Sequence, residues 1–363
     1  MAKHFRSLTI RDIRRETPDG ISVSFHIPPE WAEEFSFQPG QNITIRTQML
    51  GEELRRSYSI CSSPHENELR IAIKKAPGGR FSTYALESLK TAQSLEVLPP
   101  TGNFQLTLND RNKKHYIAFA AGSGITPVIS LIKSALRSEP LSQVTLIYGN
   151  RNRQSVIFGE ALENLKNIYP GRFQLIHTFS REKSDAAVNE GRIDAAKCEV
   201  IFKQLVPLTP DCVFLLCGPS QMIFGVRDWL LQKGTDPHKI HYELFSDPGE
   251  KPDITAGSET KADTETNDVQ KSSVTIRLDS VTRHFQIPYK GDTILNAAIK
   301  QGADLPYACK AGVCATCRAK LLKGKIIMDQ NYALAEEELE DGFILTCQSH
   351  PASPELLIDF DIR

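Results

Sequence analysis

Four cysteines in the last third of the chain are spaced for shared chemistry. Cys309, Cys314, Cys317 and Cys347 follow C-x4-C-x2-C-x29-C. Three thiols from one tight loop and a fourth from a distant element suit a [2Fe–2S] cluster, which takes four thiolates. Ala311, Gly312, Ala315 and Thr316 are small enough for that loop to wrap an inorganic core and aim backbone N–H groups at its sulfurs. Zinc is the rival reading. Zinc ribbons favour two CxxC knuckles, and only Cys314–Cys317 forms one. The N-terminus, MAKHFRSLTIRDIRRE, lacks the apolar stretch of a secretory signal, so a reducing cytoplasmic setting is expected. There, eight cysteines in 363 residues do not make a disulfide scaffold.

A cluster that moves one electron at a time needs a source, and the preceding sequence offers candidates. RRSYSI carries Arg56, Tyr58 and Ser59, and KKAPGGRFSTY, further on, carries Gly79 and Ser82. A basic residue beside an aromatic and a hydroxyl is common by chance, and a Gly-Gly pair often marks only a turn. AGSGITP is more telling, because it follows the apolar run YIAFA and opens a helical pattern from Pro127. Gly122 and Gly124 suit a tight turn with close backbone approach to a pyrophosphate, and Thr126 and Pro127 continue into the helix. Pro127 stands where the G-x-G-x-x-G fingerprint has its third glycine. Proline is tolerated in a first helical turn, where its missing N–H is not needed. CGPSQM, with Cys217 and Gly218, ends another apolar strand.

The elements that must hold these residues are legible from periodicity. In ISVSFHI, NITIRT and ELRIAIKK apolar and polar residues alternate, with Pro-Gly and Pro-Pro punctuation, which predicts an antiparallel β-barrel or sandwich over 1–110, the barrel being the reading adopted. Over 111–245, strands HYIAFAA, VTLIYG, FQLIHTF and CVFLLCG alternate with helical patterns, which predicts a parallel, doubly wound α/β sheet. Residues 246–273 are polar, with almost no large apolar side chain, and read as a flexible linker. Over 274–363, SVTIRL and RHFQIP suggest a hairpin and DTILNAAIKQG a short helix, capped by Asp292 and ended at Gly302.

LPYACKAGVCATCRAKLLKGKI and NYALAEEELEDGFILTCQSHP resemble the plant-type ferredoxin domain, which implies a β-grasp fold. The motifs upstream resemble the ferredoxin–NADP reductase superfamily. That resemblance implies FAD, with Arg56 on its pyrophosphate, Tyr58 against the isoalloxazine, Ser59 near N5, and Gly79 and Ser82 bringing backbone N–H groups to the pyrophosphate. It places Cys217 beside the nicotinamide, and Glu243 or Phe245 of ELF near the flavin. Ser180–Arg181 and Arg192 resemble the phosphate-binding arginines of NADPH-specific reductases; with Arg151 and Arg153 of YGNRNR they point to NADPH, NADH being the alternative. The order of domains is that of reductase components of bacterial oxygenases, and LRRSYSIC, YGNR and LTCQ most resemble the phenylacetyl-CoA epoxidase type. The implied path runs from NADPH to FAD, to [2Fe–2S], to a partner oxygenase. A reductase for a steroid hydroxylase, hybrid-cluster protein, ferredoxin or haem protein is the second reading, and a redox sensor or adaptor without turnover the third.

Charge and composition exclude other classes. Lys+Arg total 43 and Asp+Glu 44, so the chain lacks the basic surface that nucleic-acid affinity rests on. No apolar run approaches the ~20 residues that span a bilayer. EEELED, 336–341, reads as a solvated face in preference to an acidic docking patch.

Overall fold

The computed structural model describes residues 4–184, 186–245, 271–279 and 281–362. Two compact units divide the chain after Phe245. The predicted linker falls almost wholly on residues 246–270, which lie outside the described residues. Its predicted end is three residues too late, because Lys271, Ser272 and Ser273 are already paired in a strand, where Ser272 faces the core.

The first unit begins with six antiparallel strands: β1 (Arg6–Thr17), β2 (Gly20–His26), β3 (Asn42–Met49), β4 (Glu52–Ser59), β5 (Leu69–Lys74) and β6 (Ser94–Thr101). Their order is β4-β3-β6-β1-β2-β5. A bridge between Ile60 and Ile71 joins the two ends and closes the barrel, which leaves no open edge to template aggregation. The alternating apolar residues Ile21, Val23, Phe25, Ile43, Ile45, Ile71 and Ile73 fill its interior. Helix α1 (Arg80–Ser88) follows the Gly78–Gly79 turn and buries Phe81 and Ala85.

A five-stranded parallel sheet completes this unit. It comprises β7 (His115–Ala121), α2 (Ile125–Ser138), β8 (Gln143–Asn150), α3 (Gly159–Ile168), β9 (Phe173–Phe179), α4 (Ala195–Gln204), β10 (Cys212–Gly218), α5 (Ser220–Gln232) and β11 (Ile240–Leu244). The order β11-β10-β7-β8-β9 reverses direction between β7 and β10. Ligands of open α/β sheets bind at such a switch point, beyond the carboxyl ends of the strands. Helix α2 begins at Ile125, two residues before the predicted start, after a 3-10 turn at Gly122–Gly124. Pro127 is therefore its third residue and still within the turn whose N–H groups lack intrahelical partners.

Polar contacts lock α2 onto the barrel. Ser130 Oγ donates to the Ser62 carbonyl at 2.6 Å, Ser63 and Ser134 hydroxyls meet at 2.9 Å, and Lys133 Nζ reaches Glu66 at 2.9 Å. Gly40 has no room for a side chain, because a Cβ there would sit 1.7 Å from the Phe104 carbonyl oxygen. This seam fixes the end of β4 relative to the ends of β7, β10 and β11.

The second unit holds β12 (Lys271–Leu278), β13 (Val281–Pro288), α6 (Ile294–Lys300), β14 (Arg318–Lys323), β15 (Ile326–Met328), α7 (Glu336–Glu340), β16 (Phe343–Leu345), β17 (Ser349–Pro351) and β18 (Glu355–Asp359). Five strands form a mixed sheet, β13-β12-β18-β14-β16, and β15 pairs with β17. Ile294, Leu295 and Ala298 of α6 pack with Val274, Ile276, Leu356 and Ile358 of the sheet. Thr293, not Asp292, caps α6, accepting from Asn296 N at 3.4 Å. Asp292 instead pairs with Lys300 at 2.6 Å, and Gly302 ends the helix at φ +76° as expected. Within the acidic run, Glu338 is committed locally, accepting from Ala335 N at 3.0 Å and pairing with Arg318 at 2.9 Å.

Candidate active site

Strand β4 sets out three of the expected residues. Arg56 and Tyr58 are two apart and share a face, while Ser59 takes the other. Arg56 also donates to the Arg55 carbonyl at 2.8 Å. The Tyr58 ring lies 5.8 Å from that of Phe81 in α1, and burial holds its hydroxyl protonated well above the ordinary phenol range. Phe81 thus brings the β4 residues beside the Gly79 turn. A Cβ on Gly79 would lie 2.4 Å from Ser82 Oγ, so a side chain there would displace the Ser82 hydroxyl from the turn. Ser82 Oγ accepts from Ala76 N at 3.1 Å, which fixes the turn from inside and leaves the first-turn N–H groups of α1 without intrahelical partners. An open helix start, a guanidinium and a half-buried aromatic suit a dinucleotide's pyrophosphate and ring.

Ser59 points into a different constellation. Its hydroxyl donates to Glu243 Oε2 at 3.2 Å, across 184 residues of sequence. Glu243 pairs in register with Cys217 on the neighbouring strand. Cys217 is fully buried, and burial, then the Glu243 charge, pushes its thiol well above the usual range. It is a neutral group that packs, not a thiolate nucleophile. Glu243 and Phe245 are the two ELF residues expected near the flavin, and Glu243 is the buried one. Phe245 lies just past β11 and is 36% exposed.

At the switch point the glycines have separate reasons. Gly122 sits at φ +53°. A Cβ on Gly124 would lie 2.1 Å from the Cys217 carbonyl oxygen, so its lack of a side chain serves the packing of α2 on β10. Gly218 is crowded by Met222 and Ala121 in the same way. Thr126 is buried, and its hydroxyl donates to the Ser123 carbonyl at 3.0 Å, tightening the turn.

Arg151, Arg181 and Arg192 are exposed, just beyond the carboxyl ends of β8 and β9. Arg181 N donates to the Arg151 carbonyl at 2.8 Å, and Gly191 N to Phe179 O at 2.8 Å, which draws the three segments together. Arg153 is committed to Glu182 at 3.0 Å; no ion pair engages Arg151, Arg181 or Arg192 among the described residues.

Two further residues carry no signal in the sequence. Lys74 Nζ lies 4.0 Å from where a Cβ on Gly122 would stand, and 3.8 Å from Asp19. Burial lowers its pKa, Asp19 opposing. Asn150, ending β8, has both carboxamide atoms buried beside Tyr148, with no partner in good hydrogen-bond geometry among the described residues. Such groups are rare unless a ligand or water completes them. Lys74 reaches the Gly122 turn only through the packing of barrel against sheet.

The four cysteines meet as two pairs. Cys309 lies with Cys314, and Cys317 with Cys347. The neighbouring Cys309 thiol pulls Cys314 down to about 6, and Cys317 likewise lowers Cys347. Ala311 N donates to Cys309 Sγ at 3.3 Å. Lys310, Gly312 and Ala315 all adopt positive φ, which folds the loop around its own interior. Among the described residues, no three His, Cys, Asp or Glu side chains surround one point as a single metal ion requires. Two pairs of thiols match the two ligands per iron that a binuclear [2Fe–2S] core takes.

Comparison with characterised proteins agrees in domain order. Residues 7–106 match the oxidoreductase FAD-binding domain family, 119–228 the oxidoreductase NAD-binding domain and 276–352 the 2Fe-2S iron-sulfur cluster binding domain. The chain is therefore an iron–sulfur flavoprotein oxidoreductase that takes a pyridine nucleotide. It is 41% identical over 359 residues to one subunit of 1,2-phenylacetyl-CoA epoxidase from Escherichia coli K12, covering 99% of this chain and 98% of that one. It is 32% identical to the ferredoxin reductase component of 3-ketosteroid-9-alpha-monooxygenase from Rhodococcus rhodochrous, covering 97% and 96%. The chain belongs to the family of reductase components that these relatives represent. Phthalate dioxygenase reductase shares the fold, with TM-score 0.59 and 23% identity over 98% of both chains.

Proposed function

We propose that the protein takes hydride from NADPH and delivers single electrons to a cytoplasmic oxygenase of the phenylacetyl-CoA epoxidase kind. The near-full-length 41% identity to a subunit of that epoxidase carries the choice of acceptor. No helix among the described residues is long and apolar enough to cross a membrane. FAD, when bound, divides a hydride's two electrons into the single transfers a [2Fe–2S] cluster accepts. Arg56 and the start of α1 hold the pyrophosphate, and Tyr58 covers the ring. Ser59, oriented by Glu243, presents its hydroxyl where hydride arrives. Gly122, with Lys74 beside it, receives the nucleotide's phosphates, Cys217 and Gly218 floor the nicotinamide end, and Phe245 shields the flavin edge. Cys309, Cys314, Cys317 and Cys347 hold the cluster.

Put in place of its 41% identical relative in a reconstituted phenylacetyl-CoA epoxidation, the protein is expected to support NADPH- and oxygen-dependent epoxide formation. Cytochrome c reduction without epoxide would assign it to another acceptor.

Arg151, Arg181 and Arg192, which no ion pair engages among the described residues, support the choice of NADPH. A charge-assisted hydrogen bond to a phosphate contributes roughly 1.5–3 kcal/mol. Arg181→Ala with Arg192→Ala should therefore raise the KM for NADPH by about a hundredfold or more. The KM for NADH, which has no 2′-phosphate, should change little. Equal losses with both nucleotides in steady-state kinetics would contradict the assignment.

A further inference from the structure

Gln348, directly after the last cluster cysteine, is buried, and a side-chain amide in the interior must be satisfied. Its Nε2 lies 2.9 Å from the Lys310 carbonyl, 3.0 Å from the Cys347 carbonyl and 3.6 Å from Cys347 Sγ. All three partners are acceptors, which fixes this end of the amide as the nitrogen. Lys310 is in the three-cysteine loop, in the left-handed region at φ 55°. One amide therefore ties that loop to the element carrying the fourth cysteine. The side chain also lies over Gly312, where a Cβ would come within 3.1 Å of Gln348 Cγ. Its backbone is held in turn, Asp329 N donating to the Gln348 carbonyl at 2.9 Å and Tyr332 N to the Gly312 carbonyl at 3.1 Å.

We propose that Gln348 is a positioning residue of the cluster site: it clasps the Cys309–Cys317 loop to the Cys347 arm and sets the cluster's reduction potential through its N–H group at Cys347 Sγ. A donor at a ligand sulfur stabilises the more negative, reduced cluster and so raises the potential. The inference rests on the four-cysteine ligand set, and a wild-type protein without a cluster would defeat that reading, not this one.

The test uses the full-length protein loaded with FAD and cluster. Gln348→Met keeps the side chain's length and removes the donor; Gln348→Glu keeps the shape and adds negative charge. Midpoint potentials from anaerobic titration followed by electron paramagnetic resonance should fall in the order wild type, Gln348→Met, Gln348→Glu. Both variants should also lose their cluster to a chelator faster than wild type, while NADPH reduces their flavin at the wild-type rate. A merely structural side chain would not order the potentials by charge. Wild-type potentials in both variants would overturn the proposal, as would a Gln348→Met potential above wild type. If Gln348→Met takes up no cluster, the Gln348→Glu potential decides: a fall supports the proposal and an unchanged value overturns it.

Discussion

Replacing Cys347 by serine is expected to abolish the cluster's visible absorbance while NADPH still reduces the flavin at the wild-type rate. The cluster requires four thiolates, and Cys347 is the one proposed ligand outside the Cys309–Cys317 loop. It lies with Cys317, so its loss strips one of the two pairs. The barrel and the parallel sheet have their own cores within Phe5–Phe245, and none of those core residues belongs to the ferredoxin unit. Hydride uptake should accordingly survive while one-electron output to cytochrome c is lost. Absorbance spectra and stopped-flow flavin reduction of one preparation check both halves. A cluster retained in Cys347→Ser would refute the ligand set.

Ser59→Ala should slow flavin reduction by NADPH about tenfold to a hundredfold, with the NADPH dissociation constant little changed. The Ser59 hydroxyl is buried and oriented by Glu243 at 3.2 Å. Removing it leaves the Glu243 carboxylate without that donor and the reacting ring without a fixed polar neighbour. Because the lost contact lies at the chemistry and not along the nucleotide's phosphates, the rate should change and the binding should not. Single-turnover flavin reduction at varied NADPH separates the two. A wild-type limiting rate would remove Ser59 from the reaction.

Much of this architecture is written in local pattern. Period-two alternation in ISVSFHI and ELRIAIKK marks barrel strands, and β10, buried along its whole length, is the continuous apolar run CVFLLCG. The cysteine spacing is legible because the loop is short and its glycine and alanines have few other uses. What pattern cannot supply is convergence over long distances. Glu243 meets Ser59 only because the Ser62–Ser63 and Ser130–Ser134 seam sets one sheet against the other. Lys74 reaches the Gly122 turn for the same reason. Local ambiguity explains the smaller misses. Asp292 and Thr293 are both good caps, and the backbone at Thr293, at φ −68° and ψ 158°, decides between them. At Gly124 a long-range constraint is hidden in the same way, since a Cβ there would meet the Cys217 carbonyl oxygen.

Electrons are expected to pass in sequence from pyridine nucleotide to flavin to cluster. Anaerobic stopped-flow mixing of the loaded protein with NADPH, followed at flavin and cluster wavelengths, tests it most directly. Flavin absorbance should fall first and cluster absorbance afterwards, with the second phase absent in Cys347→Ser. Reduction of the cluster by NADPH in protein stripped of FAD would contradict the account.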